Sequence, residues 1–205
     1  MDLYFMPLAC SLATRIALYE AGADARYVEV NKAKRTADGE DFHTINPLGL
    51  VPTLRLDDGS VLTENQAILQ HVTRRFPEAL HAPRDEAGWM RLQEWLCFIG
   101  TELHRGLFSL LLDADAPAVA KAYVREKGLS RLDVLETRLR DRAYLLDAFT
   151  VADAYLMVVL NWTAATEIDL ARWPAVKAYL QRVRALPPVA RAMGEERELY
   201  QRAKS

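Results

Sequence analysis

The chain has 205 residues, 51% of them apolar and 26% charged, with a formal net charge of −2. Such a chain holds one large globular domain or two small ones, and its charge gives no reason to expect nucleic acid or an anionic membrane surface as a partner. No apolar run reaches the roughly 18 residues of a spanning helix, the N-terminus lacks a basic export signal, and Cys10 and Cys97 make no disulfide framework, so both are expected as reduced thiols in the cytoplasm.

The chain opens on a short apolar run, Leu3–Met6, which reads as a strand. A helical pattern covers Ser11 to Glu20 and ends near Gly22. Arg26–Val30 alternates as a strand does. Lys32–Gly39 is polar and loop-like, with room for a short helix after it. Val51–Leu56 and Ser60–Leu62 flank Asp57-Asp58-Gly59, a strong hairpin signal. Thr63–Phe76 returns to helical spacing through Ala67, Ile68, Leu69, Val72 and Phe76. The order is βαβ, a loop, then ββα. A βαβ unit implies a parallel pair with a right-handed crossover, and the whole order is that of a thioredoxin-like α/β domain.

Pro77 and Pro83 bracket a linker. Beyond it every pattern is helical. Trp89, Leu92, Leu96, Ile99, Leu103 and Leu107 mark one long amphipathic helix. A second starts after Pro117 and runs through Leu129, Leu132, Leu135 and Leu139. Thr150-Val151-Ala152-Asp153 is a capping-box pattern ahead of a densely apolar helix from Ala154. Two more helices are expected near Ala175–Leu186 and from Val189 onward. The expected division is a thioredoxin-like domain over 1–77, a linker over 78–86 and an all-α domain over 87–205.

Three places invite chemistry. Cys10 lies between the end of a strand and the start of a helix, where unpaired N–H groups and the helix dipole favour a nucleophilic thiolate. A small buried residue filling a gap would occupy the same place, and position alone does not choose between the two. Thr63-Glu64-Asn65 opens a helix whose first N–H groups suit a carboxylate, while Glu64 suits an ammonium group; an ordinary cap with a dipole-compatible acid reads identically. His104 alone reads as a helix histidine, and no His/Cys spacing suits a metal.

Ala9-Cys10-Ser11-Leu12-Ala13, Asn46-Pro47-x-Gly49-x-Val51-Pro52, Leu62-Thr63-Glu64-x-x-Ala67-Ile68, Glu102-Leu103-His104 and Phe149-Thr150-Val151-Ala152-Asp153-Ala154-Tyr155 together resemble the bacterial beta class of glutathione S-transferases, over essentially the whole chain. The resemblance implies conjugation of glutathione, as co-substrate, to small hydrophobic electrophiles, without a metal and in a homodimer. It implies catalytic roles for Cys10 and His104. It places Cys10 beside the glutathione sulfur, where a mixed disulfide can form. Lys34 would approach the glycine carboxylate, with Arg35 as its rival. Val51 would pair its backbone with the cysteinyl part, ahead of a cis-Pro52; a Val-Pro pair taken alone predicts trans. Glu64 and Asn65 would hold the γ-glutamyl end, and His104 and Arg105 would face the same site from the helical domain.

Four positions depart from the family pattern. Phe5 stands where a tyrosine is common and removes a phenol that could hydrogen-bond sulfur. Tyr4, beside it on the strand, is expected to point to the opposite face. Leu8 replaces a common glycine, which loses backbone freedom and adds bulk. Asn65 replaces serine and Cys97 replaces asparagine. Two other functions fit a thiol at this place. One is a single-cysteine, glutathione-dependent disulfide oxidoreductase of glutaredoxin type. The other is a non-catalytic binding protein for apolar ligands, using Trp89, Trp95, Phe98, Phe108 and Trp162, though aromatics at helical spacing are more often core.

Overall fold

A computed structural model describes residues 1–203. They divide into two compact units. The first comprises Met1–Ala82 and the chain from Leu186 onward; the second is Pro83–Ala185.

The first unit is built on a four-stranded sheet of order β2-β1-β3-β4. Its strands are β1 (Asp2–Phe5), β2 (Arg26–Glu29), β3 (Thr53–Arg55) and β4 (Val61–Leu62). β1 and β2 pair in parallel around α1 (Ser11–Glu20), as the βαβ reading requires. β3 pairs antiparallel with both β1 and β4. The hairpin between β3 and β4 turns at Gly59, whose φ of +84° is open to glycine. α2 (Asn65–Arg75) then covers the sheet through Ile68, Leu69 and Val72, all fully buried. The thioredoxin-like order read from the sequence is the one observed. The polar stretch after β2 holds one short 3₁₀ turn, Phe42–Thr44, whose Phe42 fills the core below Tyr4, Val28 and Val30. Tyr4 therefore does point away from the face of its neighbour Phe5.

The second unit is all helical. α3 (Glu86–Phe98) passes without a break into a π-helical stretch, Ile99–Phe108, and then α4 (Ser109–Leu112). The single long amphipathic helix expected here is thus wound wider in its second half. Gly106 suits that winding: a Cβ there would stand 2.8 Å from the Thr101 carbonyl oxygen, five residues back. α5 (Ala118–Leu139) approaches the same stretch closely, since a Cβ on Gly128 would meet the Leu107 side chain at 2.6 Å. α6 (Val151–Asn161) is buried on every side from Val151 to Leu160. α7 (Pro174–Arg184) packs against it.

Asp153 is the polar hub of this unit. Its carboxylate accepts the N–H of Thr150 at 2.9 Å, the N–H of Leu145 at 2.9 Å and the Tyr179 hydroxyl at 3.0 Å. The capping box is therefore extended to a loop and to α7. Each buried donor left without this acceptor would cost about 1–3 kcal/mol. Burial pushes the Asp153 pKa up to about 6 against those hydrogen bonds.

α8 (Pro187–Arg202) lies in the first unit, packed on α1. The expected helical domain of 87–205 includes this helix, so the observed division differs at the C-terminal end. The physical reason is burial of the α8 stripe Val189, Ala192 and Met193, with ion pairs added to it. Arg15 of α1 forms an ion pair with Glu195 and faces Glu196 at 3.6 Å. Among the described residues no helix is long and apolar enough to cross a membrane.

Candidate functional site

The junction between β1 and α1 is a compact turn. The Ala9 N–H returns to the Met6 carbonyl at 3.1 Å, and the Ser11 hydroxyl is 3.3 Å from the same carbonyl. α1 begins directly after Cys10, whose carbonyl accepts the Ala13 N–H at 3.1 Å. The thiol therefore sits at the positive end of a ten-residue helix.

Two more segments reach Cys10. Its Sγ–H donates to the Val51 carbonyl at 3.2 Å. Its own carbonyl accepts the Asn65 side-chain amide at 3.2 Å, and Asn65 in turn accepts the Thr14 hydroxyl at 2.9 Å. The Asn65 side chain is thus buried and joins α2 to α1. Only its backbone N–H, in the first turn of α2, remains placed for an outside group. The structure brings Cys10, Val51 and Asn65 together by hydrogen bonds.

The loop ahead of β3 is held by one side chain. Asn46 donates to the Leu50 carbonyl at 2.8 Å and to the Thr53 hydroxyl at 3.1 Å, and accepts the Leu48 N–H at 3.1 Å. Gly49 has a φ of +61°, and a Cβ there would strike the His43 ring at 2.6 Å. The Val51–Pro52 bond that follows is cis, as the resemblance implied. Val51 is half-buried, with its carbonyl already engaged by Cys10.

Three non-glycine residues in this region have left-handed backbone: Leu8 (φ +62°), Lys34 (φ +59°) and Glu64 (φ +65°). Each such residue costs on the order of 1–3 kcal/mol, and such strain concentrates where a backbone must present something. Glu64 is exposed at the head of α2, adjoining Asn65. Lys34 is half-buried in a turn closed by its N–H on the Asn31 carbonyl at 3.0 Å. The Arg35 N–H is held by the Asn31 side chain at 3.0 Å, and Arg35 is exposed.

Leu8 is anchored from α8. Its N–H donates to Glu196 Oε2 at 2.7 Å, and the Glu196 side chain is 0% exposed. Burial pushes the Glu196 pKa up to about 7, opposed by the Leu8 N–H and the Arg15 charge. The Arg15 guanidinium also lies over the Phe5 ring, 5.1 Å from its centroid. Sequence reasoning passed over Glu196 because Glu195-Glu196-Arg197-Glu198 reads as solvated charge. The available signal was helical phase: Glu196 stands seven residues after Val189 and three after Met193, on the stripe that α8 buries.

In the second unit, His104 and Arg105 lie on the π-helical stretch. Such windings are frequent at functional sites. His104 Nδ1 is 2.7 Å from the Tyr155 hydroxyl, and its ring lies edge-on to Trp162 at 4.9 Å between centroids. Arg105 is exposed. Burial, reinforced by the Arg105 charge, lowers the His104 pKa to about 4. The ring is therefore neutral at pH 7. Since the unfolded chain binds this proton with a midpoint of about 6.5 and the folded chain only near 4, stability from this group falls as pH drops from 6.5 to 4. An NMR titration of the His104 ring is expected to show no protonation above pH 5; a midpoint at or above 6 would contradict the buried, neutral assignment.

The chain resembles known proteins along nearly its whole length. Residues 9–75 match the family description "Glutathione S-transferase, N-terminal domain", and residues 94–187 match "Glutathione S-transferase, C-terminal domain". Glutathione S-transferase GstA of Escherichia coli O157:H7 is 39% identical over 199 residues, covering 96% of this chain and 98% of that protein. The structure of a sphingomonad glutathione S-transferase complexed with glutathione is 41% identical with a TM-score of 0.90, covering 96% of this chain and 98% of that one. The bacterial beta-class glutathione S-transferase of Sphingomonas chungbukensis is 39% identical with a TM-score of 0.91, again over 96% of this chain and 98% of that one. With its two matched domains and its Cys10 junction, this chain belongs to the glutathione S-transferase family, in the bacterial beta class.

Proposed function

We propose that this glutathione transferase binds its co-substrate extended along the first unit, with the thiol at Cys10, and joins it to small apolar electrophiles held by the helical unit. Val51 pairs its backbone with the cysteinyl residue ahead of Pro52. The first turn of α2 takes the γ-glutamyl carboxylate, and the exposed Glu64 takes the ammonium group. Lys34 meets the glycine carboxylate; its half-buried, left-handed turn favours it over the exposed Arg35. The observation that carries this reading is the Cys10–Val51 hydrogen bond of 3.2 Å, which puts the thiol on the very carbonyl that an extended cysteinyl residue would use.

In this reading His104 and Arg105 act on bound glutathione. A neutral His104 ring that accepts the Tyr155 hydroxyl at Nδ1 carries its proton on Nε2, where it is a donor. The Arg105 cation adds a field that favours thiolate. A shift of one pKa unit is about 1.4 kcal/mol, within the reach of a helix terminus with one or two hydrogen bonds.

Cys10 tunes the glutathione thiol and does not replace it. It can also attack a glutathione mixed disulfide at the glutathione sulfur: a Cys10–glutathione disulfide forms, the other thiol leaves as thiolate, and a free glutathione thiolate then resolves the bond, releasing glutathione disulfide and restoring the Cys10 thiolate. The family match favours transfer over such exchange as the main reaction, and over binding without turnover. The family's dimeric assembly and cytoplasmic location belong to the same proposal; light scattering at the mass of a single chain would contradict the dimer.

Steady-state conjugation of a chlorinated nitrobenzene tests the reading. Wild type is expected to turn over with glutathione, and Cys10→Ala to retain the rate within about tenfold, the scale of one lost hydrogen bond. No glutathione-dependent turnover by wild type would contradict the transferase activity; complete loss in Cys10→Ala would make Cys10 the obligatory nucleophile.

A further inference from the structure

We propose that Glu196 is a positioning residue for the glutathione reaction: from α8 it fixes the backbone that presents Cys10, and so sets glutathione affinity and Cys10 reactivity. The inference rests on the transferase reading of the Cys10 junction.

The geometry is that of a clamp with two jaws. Glu196 Oε2 accepts the Leu8 N–H at 2.7 Å, two residues before Cys10. Glu196 Oε1 faces Arg15 Nη1 at 3.6 Å, five residues after it. Both of these facing atoms are buried without a hydrogen-bond partner. One carboxylate therefore addresses the chain on both sides of the thiol. Leu8 is in the left-handed region, where a leucine does not rest unless something holds it. A hydrogen bond to a buried carboxylate is of the strong, charge-assisted kind.

Releasing Leu8 would carry Cys10 with it. Ala9 turns back onto the Met6 carbonyl, and Ala9 and Cys10 supply the first two carbonyl acceptors of α1. If Leu8 relaxed to negative φ, that turn would open. The thiol would then leave the Val51 carbonyl, and the Cys10 carbonyl would leave Asn65. α8 supplies this restraint through Glu196. A misplacement of about 1 Å at such a point costs up to about a hundredfold in rate.

The test uses the whole protein in a Cys97→Ser background, so that Cys10 is the thiol that iodoacetamide reads. Glu196→Ala is expected to raise the glutathione KM about tenfold with a smaller change in kcat, and to change the Cys10 alkylation rate by about fivefold or more. Glu196→Gln keeps an acceptor oxygen for Leu8 and is expected to restore both within about threefold. Leu8→Gly removes the left-handed penalty and is expected to reverse most of the Glu196→Ala defect. Should Glu196→Ala fail to fold, Glu196→Asp, which keeps the charge and withdraws the acceptor by one methylene, is expected to shift KM and alkylation in the same directions. A purely structural role would lower the thermal midpoint while leaving KM and alkylation within about twofold of the parent, and that result overturns the proposal. Absence of glutathione turnover in the parent would overturn the transferase reading, while alkylation of Cys10 would still decide the role of Glu196.

Discussion

The site depends on where one helix begins. α1 starts at Cys10, and that start is pinned from three directions: Val51 on the thiol, Asn65 on the carbonyl and Glu196 on the preceding loop. Each pin comes from a different part of the chain. Each of the three bonds is at least partly buried. The thiol is thereby held at a helix N-terminus, facing a carbonyl that an extended peptide would also address. Both features are needed for sulfur chemistry: a field that favours thiolate and a backbone edge that holds the second thiol near.

The second unit solves a different problem. It keeps a half-buried imidazole neutral among helices. Tyr155 from α6 meets His104, and α6 is itself fixed by Asp153, which gathers Thr150, Leu145 and Tyr179 on one carboxylate. The hub sets the helix that carries the His104 partner. The wide winding of Ile99–Phe108 works with it, since α5 closes on that stretch only because Gly128 has no side chain there.

Much of this was legible in the sequence. The apolar run of β1, the alternation of β2, the Asp-Gly hairpin and the capping box at Thr150 each have a local cause, and each appears where its pattern stands. The resemblance to the family supplied the cis bond at Pro52, which no local rule predicts; the Cys10–Val51 hydrogen bond came only with the structure. What stayed hidden was set by tertiary packing. Glu196 looks like its charged neighbours until α8 is laid on α1. α8 itself reads as one more helix of the second domain, yet it lies in the first unit, with Val189, Ala192 and Met193 buried and Arg15 paired to Glu195. Leu8 reads as an unfavourable exchange for glycine; the strain it keeps is offset by a partner 188 residues away.

Electrostatics binds these points into one account. Charges here act at short range in buried places: Glu196 on a single N–H, Arg15 on two carboxylates and the Phe5 ring, Asp153 on four donors. The net charge of the chain plays no part. The most direct test is a structure of the protein with glutathione bound. The account predicts the cysteinyl N–H on the Val51 carbonyl, the Cys10 thiol turned from Val51 to the glutathione sulfur, and the Leu8–Glu196 bond intact. A glutathione sulfur beyond hydrogen-bond reach of Cys10, or bound glutathione with Leu8 released from Glu196, would contradict it.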